Sequence, residues 1–340
     1  MAVHLLHQTD LFRPHQDPDD HWDLACVYAL AFARQLTLHG VLIDYPPPDR
    51  DRTPDIAAIA QLNYLTGLRV PFGAGSPKAM SVRTDQQKGA SRSEENGIRM
   101  VLDTLQNAPE PVVITIVGSC RDVAIAGNRA PDLFREKCAG VYLNAGSGTP
   151  IPERLGELEY NVRLNVSAFA AIFDLPCPVY WMPCFEITPP NWCVEEYGTF
   201  YRFRQDEILP YLSPRLQNYF ISMFGHKSAT RWLGDLCGAK DEAIFAAQLQ
   251  EERNMYCTAG FLHAVGKVVT RKGDIVDVAV AGETAVFTFD EIEVRCKDNG
   301  ETRWKPGISA SKRFIFHVRD VEAYPQAMIK AMKSLLRELP

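Results

Sequence analysis

The sequence contains no cluster of basic residues, no long apolar run and no internal repeat. Its 340 residues include 36 Lys and Arg against 42 Asp and Glu, which gives a formal net charge of −6. Nucleic acid is therefore not an expected partner, because binding to a phosphate backbone depends on clustered Lys and Arg. No apolar stretch is long enough to span a bilayer and no secretory leader is recognisable, so we expect a cytoplasmic protein without a membrane anchor.

Paired-cysteine and phosphate-loop motifs are also missing. The 9 cysteines are an odd number and form no CxxC pair, which is typical of reduced thiols in a cytoplasmic protein. Cys177, Cys184 and Cys193 form the tightest group, but their spacing is not that of a zinc site. Neither GxGxxG nor GxxxxGK(S/T) occurs. The sequence therefore gives no indication of a disulfide scaffold, a structural zinc site or a phosphate-binding loop.

The chain has the composition of a globular protein with a large core, at 46% hydrophobic and 23% charged residues. Short apolar runs alternate with amphipathic segments. One of these runs, "PVVITIVGS" (111–119), is bounded by turn residues, as is typical of a buried parallel strand. The alternation predicts an α/β fold with an open, mostly parallel sheet and helices on both faces, as a single domain over 1–340.

The predicted elements follow from apolar periodicity and from turn and cap residues. The main predicted strands are 3–9, 39–44, 111–119, 140–148, 178–183 and 313–318. The main predicted helices are 19–36, 54–67 with Thr53 as N-cap, 96–107, 121–136, 165–174 and 320–338. Residues 200–265 are predicted to be mostly helical, and 266–288 are predicted to form a small C-terminal β-hairpin.

The stretch "HQTDLFRPHQDPDDHWDLA" (7–25) places many carboxylates where the first strand gives way to the first helix. Its aspartates are Asp10, Asp17, Asp19, Asp20 and Asp23. Acidic residues favour a helix N-terminus by roughly 0.3–1 kcal/mol each, which explains one or two of them. Four carboxylates converging from a strand end and a helix start repel one another unless a cation offsets them. A hard cation such as Ca²⁺ therefore explains the stretch better than a solvated acidic loop.

At this stretch the sequence resembles the inosine–uridine-preferring nucleoside hydrolases. That family opens with a strand, an Asp-rich loop ending in two adjacent aspartates, and an apolar helix; the match here is "TDL…DPDDHWDLACVYAL". Further matches follow in the same order: "GVLID", "VPFGAGSPK", "VVITIVGSCRDVAIA", "CAGVYLNAGSG" and "ELEYNVRLNVSAFAAIFDLPCPVYWMP". The resemblance covers nearly the whole chain. It implies a nucleoside-hydrolase-like fold, Ca²⁺-dependent hydrolysis of the N-glycosidic bond of a ribonucleoside or related ribosyl compound, and a homodimer or homotetramer.

The resemblance also implies roles for residues of the Asp-rich loop. Asp20 matches a metal ligand, Asp19 an acceptor of a ribose hydroxyl, and Val117 the residue whose main-chain carbonyl binds the metal. The catalytic Asp, which deprotonates a metal-bound water for attack on the anomeric carbon, is Asp10 or Asp17. An insertion, "LFRPHQ", leaves this register open, and the strand-end position favours Asp10, which would also bind the metal.

Three further residues are candidates for binding the ribose. Glu159 and Asn161 match a Glu-x-Asn pair of the family, and two residues this far apart on an extended segment face the same side. The alternative for this pair is an exposed polar pair at a helix entrance. Asn144, in "YLNAGSG", would compensate for an asparagine that the sequence lacks before Glu159.

The sequence departs from the family pattern late in the chain. The resemblance implies an Asp metal ligand and a His that protonates the leaving group, but the matching segment "MYCTAG" (255–260) has Met255 and Tyr256 there. Tyr256 is a candidate to donate a proton or to stack on a base, whereas Cys257 is too soft a ligand for Ca²⁺. The alternative function is a non-catalytic or diverged ribosyl-binding protein. A Mg²⁺-dependent phosphotransferase is a third class, but "DLF" lacks the second Asp it needs.

Several histidine and tryptophan residues are further candidates for the site. His15 and His21 flank the acidic stretch, either as general acids near neutrality or as solvated loop residues. Trp22, Trp181 and Trp192 are candidates for stacking on a base or for the hydrophobic core.

Overall fold

A large sheet with helices packed on both faces forms the body of the protein. The computed structural model describes residues 2–13, 15, 18–46, 53–225, 229–308, 310 and 312–340. The strands are β1 (Val3–Thr9), β2 (Phe12–Arg13), β3 (Leu36–Ile43), β4 (Thr53–Pro54), β5 (Phe72–Ala74), β6 (Val112–Ile116), β7 (Cys138–Asn144), β8 (Val179–Met182), β9 (Tyr201–Arg204), β10 (Glu252–Met255), β11 (Lys267–Val269), β12 (Ile275–Asp277), β13 (Phe287–Cys296), β14 (Thr302–Pro306) and β15 (Arg313–Val318).

Helices account for most of the connections between these strands. They are α1 (Asp19–Phe32), α2 (Ile56–Thr66), α3 (Asn96–Asn107), α4 (Arg121–Arg129), α5 (Pro131–Lys137), α6 (Tyr160–Leu164), α7 (Val166–Ile172), α8 (Pro214–Gly225), α9 (Trp232–Cys237), α10 (Glu242–Leu249), α11 (Thr258–Ala264), α12 (Val278–Ala281) and α13 (Tyr324–Leu336). None of the described helices combines the length and the apolarity needed to cross a membrane.

The main sheet is mostly parallel, as the sequence predicted. Its strand order is β14-β13-β15-β8-β7-β6-β1-β3-β5, and every neighbouring pair from β15 to β5 is parallel. Within this sheet, among the described residues, antiparallel pairing is confined to β13, which pairs in this way with β14 and β15. All five residues of β6 are buried, as expected for a strand covered by helices on both faces.

Two hydrophobic cores lie on opposite faces of this sheet. One joins the sheet to α1, α2, α8, α11 and α13, with Trp22 stacked on Phe220 at a ring distance of 3.9 Å. The other joins it to α3, α4, α5 and α7, and includes Trp181. Trp22 and Trp181 are therefore core residues, which rules them out as stacking partners for a ligand.

The strand order reverses direction between β1 and β6. From β1 the chain builds the sheet outwards through β3 and β5, and it then returns to add β6, β7 and β8 on the other side of β1. A crevice opens beyond the carboxyl ends of the strands at such a reversal, and this is where ligands bind in open α/β sheets. Asp10 follows β1 and Val117 follows β6 at this point.

Residues 200–265 are mostly helical, as predicted, but they also contain β9 and β10, which pair as antiparallel strands. Tyr201 and Phe203 are buried while Arg204 is exposed, so "YRFR" follows the two-residue period of a strand. The predicted C-terminal hairpin is present as β11 and β12. The strand β13, which lies between β14 and β15, was not predicted, since its sequence, "FTFDEIEVRC", is half charged or polar.

Two predicted helices begin or end elsewhere. The N-cap of α2 is Asp55, whose side chain accepts from the amide of Ala58, whereas Thr53 lies in β4, paired with β2. The predicted helix 121–136 is divided into α4 and α5 at Pro131, because proline has no amide hydrogen for a helix interior.

A buried charged cluster connects the acidic stretch to the start of α2. Oδ2 of Asp55 accepts hydrogen bonds from Nε2 of His15 at 2.8 Å and of His21 at 2.9 Å, and Oδ1 accepts from Nε of Arg13 at 2.8 Å. We call these four residues the Asp55 cluster. The side chains of His15 and His21 are only 2% and 3% exposed, so the expectation that they are solvated loop residues is wrong.

Hydrogen bonding keeps Asp55 ionised in this buried position. Burial alone would raise the pKa of Asp55. The hydrogen bonds from His15 and His21, with the charges of His21 and Arg13, outweigh that effect and hold the pKa well below its usual range. Burial, followed by the charge of His15, lowers the pKa of His21 to about 4. The carboxylate therefore serves as the counter-charge that Arg13 needs inside the protein.

We expect Asp55→Asn to lower the free energy of unfolding by about 3–5 kcal/mol, because it removes one partner of the buried ion pair between Asp55 and Arg13. Asparagine still caps a helix, so loss of the cap contributes little. Asp241→Asn is the matched control, since Asp241 is the exposed N-cap of α10. Urea unfolding of both variants measures the difference, and equal stabilities would contradict a structural role for the Asp55 cluster.

Candidate functional site

A cavity of about 450 Å³ opens where the strand order reverses between β1 and β6, beyond the carboxyl ends of β1, β6, β7 and β8. We call this place the switch point. The structure brings every described residue of the predicted site to its wall: Asp10, Asp19, Asp20, Val117, Asn144, Glu159, Asn161 and Tyr256. Asp17, the other candidate for the catalytic base, lies outside the described residues. Neither His15 nor His21 lines the cavity, because both side chains are turned towards Asp55.

Three aspartates meet at one side of the cavity. Asp10 follows the last residue of β1, and Asp19 and Asp20 form the first turn of α1. Thr9 Oγ1 donates a hydrogen bond of 2.9 Å to Oδ1 of Asp20, and the carboxyl groups of Asp10 and Asp20 are in hydrogen-bonding contact. Burial, followed by the charges of Asp10 and Asp19, raises the pKa of Asp20 well above its usual range. Such crowding is the electrostatic signature of a site for a cation or a shared proton.

A further carboxylate, Asp44, packs near Asp10. It follows β3; its Oδ1 accepts from Nε2 of Gln8 at 2.6 Å, and its Oδ2 accepts from the amide of Ser119. Gly118 allows the close approach of these segments, because a Cβ there would lie 2.5 Å from Oδ2 of Asp44 and 3.0 Å from Cβ of Asp10. The glycine is therefore required by the packing of strand ends around Asp10.

Glu159 and Asn161 organise the opposite wall and are buried, which removes the alternative of an exposed polar pair. Glu159 is the N-cap of α6 and accepts hydrogen bonds from the amides of Gly146, at 2.8 Å, and Asn161, at 2.9 Å. Nδ2 of Asn161 donates to the carbonyl of Asn144 at 3.0 Å and, more weakly, to that of Val117 at 3.4 Å. One amide thus ties together the ends of β6 and β7, and it sets the position of the Val117 carbonyl.

The side chain of Asn144 is largely engaged by the protein. Its Nδ2 donates to the carbonyl of Met182 at 2.9 Å and to Oγ1 of Thr199 at 3.1 Å, and its Oδ1 accepts from the thiol of Cys184 at 3.4 Å. The remaining lone pair of Oδ1 is what this residue can offer a ligand, so it can act only as an acceptor.

Aromatic side chains line the outer part of the cavity. Tyr256, Phe185 and Trp192 lie on its wall, with ring distances of 5.6 Å from Phe185 to each of the other two. Of the three tryptophans considered from the sequence, Trp192 alone lines this cavity in the described structure. The guanidinium of Arg202 lies 5.4 Å from the Trp192 ring and orients it. Phe185 is nearly perpendicular to both other rings, so the wall offers individual ring faces of the kind on which a nucleobase stacks.

The donor atoms around Asp10 fit a hard cation. Asp10 and Asp20 provide carboxylate oxygens and Val117 a main-chain oxygen, the donor types that Ca²⁺ prefers. Near the other end of the acidic stretch, ligand atoms of His15, His21 and Asp55 lie within 4.8 Å of one another. The charge of Asp55 in that group is already balanced by Arg13. The group is therefore better explained as a structural ion pair than as a metal site.

The cavity wall also includes residues for which the sequence indicated no role, among them Asp23, Arg163, Cys184 and Phe185. Asp23 was detectable, because a residue three positions after Asp20 shares its helix face. The other three carry no local signal, since they reach the cavity only through the folding of distant segments.

Fold and cavity together define an α/β protein with an acidic ligand pocket at its topological switch point. The inosine-uridine preferring nucleoside hydrolase of Bacillus anthracis shares this fold, with 14% identity and a TM-score of 0.50 over 100% of both chains. A plant nucleoside hydrolase is 11% identical, with a TM-score of 0.55 over 99% of both chains. The type III effector protein XopQ, solved in complex with adenosine diphosphate ribose, is 15% identical, with a TM-score of 0.54 over 100% of this chain and 94% of its own.

These structures confirm the nucleoside-hydrolase-like fold that the sequence predicted. At such identities they establish the fold alone. No protein-family model matches the sequence, and no curated protein is detectably similar to it in sequence.

We expect Gly118→Ala to destabilise the protein by about 1–3 kcal/mol, because the added methyl group overpacks the contact with Asp44 and Asp10. Gly234→Ala is the control, since a Cβ at this helical position of α9 meets no atom within 4 Å. It should be neutral or slightly stabilising. Urea unfolding of the two variants tests the contrast, and a Gly118→Ala protein as stable as Gly234→Ala would refute the packing argument.

Proposed function

We propose that this protein hydrolyses the N-glycosidic bond of a ribonucleoside or related ribosyl compound in a Ca²⁺-dependent reaction. One observation carries the proposal: a single cavity holds the Asp10–Asp20 carboxylate contact, buried polar residues suited to sugar hydroxyls, and an aromatic wall. Its volume of about 450 Å³ is in the range of small-molecule sites. The nucleoside hydrolases that share the fold support the same class of reaction.

The carboxylates of Asp10 and Asp20 and the carbonyl of Val117 are the groups that would hold the calcium ion. When bound, Ca²⁺ would lower the pKa of a water molecule and offset the repulsion between the two carboxylates. Asn161 contributes indirectly, since its hydrogen bond orients the Val117 carbonyl.

In the proposed reaction Asp10 accepts a proton from the attacking water. The water oxygen forms a bond to the anomeric carbon, the bond from that carbon to the leaving nitrogen breaks, and the leaving group takes up a proton. Positive charge develops on the sugar ring as this bond breaks, and the surrounding carboxylates stabilise it. The hydroxyl of Tyr256 is the group on the aromatic wall that can donate the proton to the leaving group.

Substrate binding divides between the two walls. Asp19 and Glu159 accept hydrogen bonds from ribose hydroxyls, with Asn144 and Asn161 beside them. Trp192, Phe185 and Tyr256 stack on the leaving base. XopQ was solved with adenosine diphosphate ribose. A ribosyl compound with a longer substituent than a base is therefore part of the proposed substrate class.

A second candidate function is ribosyl binding without hydrolysis. It is favoured by Met255 and Tyr256, which stand where the family resemblance implies a histidine and an acidic metal ligand. Calcium affinity and turnover, measured on the same preparation, separate the two functions.

We expect Asp20→Ala to abolish both calcium binding and ribose release while the fold survives, because the variant removes a carboxylate from the cation site. Calorimetric calcium titration and reducing-sugar release from inosine and uridine are the measurements, with circular dichroism to check the fold. Asp132→Ala, on the exposed side of α5, is the control for loss of one carboxylate. Normal turnover by Asp20→Ala would refute the assignment, and calcium binding without turnover in the wild type would favour the second function.

A further inference from the structure

One buried carboxylate in the cavity has no part in the site as described so far. Asp23 lies on α1, is 1% exposed and lines the same cavity as Asp20. Its Oδ1 has no hydrogen-bond partner among the described residues. An unpartnered polar atom inside a protein is destabilising, and more so in a charged group, unless a ligand or water satisfies it.

Helix geometry places Asp23 next to the proposed cation site. Asp20 and Asp23 are three residues apart on α1, so both side chains project from the same face of the helix. The charge of Asp23 is among those that act on Asp20. Asp23 therefore lies on the wall that already carries Asp19 and Asp20.

The only group found to hydrogen-bond to the Asp23 side chain among the described residues is neutral. Cys257, at the N-cap of α11, hydrogen-bonds to it. Burial raises the pKa of the Cys257 thiol well above its usual range, so the thiol stays protonated and can donate. A thiol is a weak donor and a poor ligand for a hard cation. This contact holds the carboxylate in place, while Oδ1 stays buried and without a hydrogen-bond partner among the described residues.

We propose that Asp23 supplies a carboxylate oxygen to the same calcium ion as Asp10 and Asp20. It would complete the ligand set on the side of Tyr256 and Cys257, neither of which is a carboxylate. The inference rests on the proposed function, since it needs a cation at that site. Asp23 on α1 would then provide the carboxylate ligand that the late segment, 255–260, lacks.

Calorimetric titration of the full chain with CaCl₂ tests the proposal. Asp23→Asn keeps the shape of the side chain and removes its charge, and it should weaken calcium binding at least ~10-fold, since affinity follows the number of charged ligands. Asp122→Asn is the matched control: Asp122 is also buried, accepts a hydrogen bond from the amide of Ser76, and lies outside the cavity. Its calcium affinity should stay within about twofold of the wild type.

Thermal unfolding gives a second measurement that does not depend on activity. In EDTA, Asp23→Asn should melt no lower than the wild type, because it removes a buried carboxylate that has no cation. On addition of calcium its melting temperature should rise less than that of the wild type and of Asp122→Asn. If Asp23→Asn cannot be purified, Asp23→Ser gives the same comparison with a smaller neutral side chain.

The outcomes separate this inference from the proposed function. Equal calcium affinity in the wild type and Asp23→Asn would overturn the role of Asp23 and leave the proposed function intact. A wild-type protein that binds no calcium at millimolar concentration would overturn both.

Discussion

The contact between the carboxyl groups of Asp10 and Asp20 is the constraint on which the site depends. Two carboxylates in contact repel each other when both are ionised, and the rest of the structure has to hold them together. The end of β1 fixes Asp10, the first turn of α1 fixes Asp20, and Thr9 ties the two segments. The Asp55 cluster holds the acidic stretch from the other side, with its histidines and Arg13 gathered around Asp55. The stretch is thus acidic towards the cavity and balanced towards α2, so its charge is concentrated where a cation would bind.

Sheet topology determines what faces this contact. Because β1 lies between β3 and β6, the carboxyl ends of three strands that are far apart in the sequence meet at one place. Gly118 lets the turn after β6 approach Asp44 and Asp10, and Asn161 joins the carbonyls of Val117 and Asn144. The polar wall is therefore built from main-chain groups held by side chains, which makes it rigid. A rigid wall is what a reaction with a developing positive charge requires, because its dipoles need no reorganisation.

The late segment shows how such a site can change while its fold stays. Tyr256 joins the aromatic wall and Cys257 turns to Asp23, so the segment contributes packing and one weak hydrogen bond to the cavity. Asp23 lies on the neighbouring helix α1, and its Oδ1 has no hydrogen-bond partner among the described residues. If one helix or loop loses a metal ligand, a residue from another element that lines the same cavity can replace it. The reason is that cation binding depends on which oxygens surround the ion, and not on their order in the chain.

The sequence by itself determined the α/β fold, most strands and helices, and the convergence of Asp10, Asp19 and Asp20. These features depend on local periodicity and on neighbouring residues, which a sequence displays directly. With the family resemblance it also indicated Val117, Glu159, Asn161 and Tyr256, which the structure places in one cavity. Only the tertiary structure decided the rest: the burial of His15 and His21 against Asp55, the engagement of Asn144 by its neighbours, and the contact of Asp23 with Cys257. These features join segments that are far apart in the chain, or depend on which atoms of a side chain are already hydrogen-bonded. Such properties leave no periodic signal in the sequence.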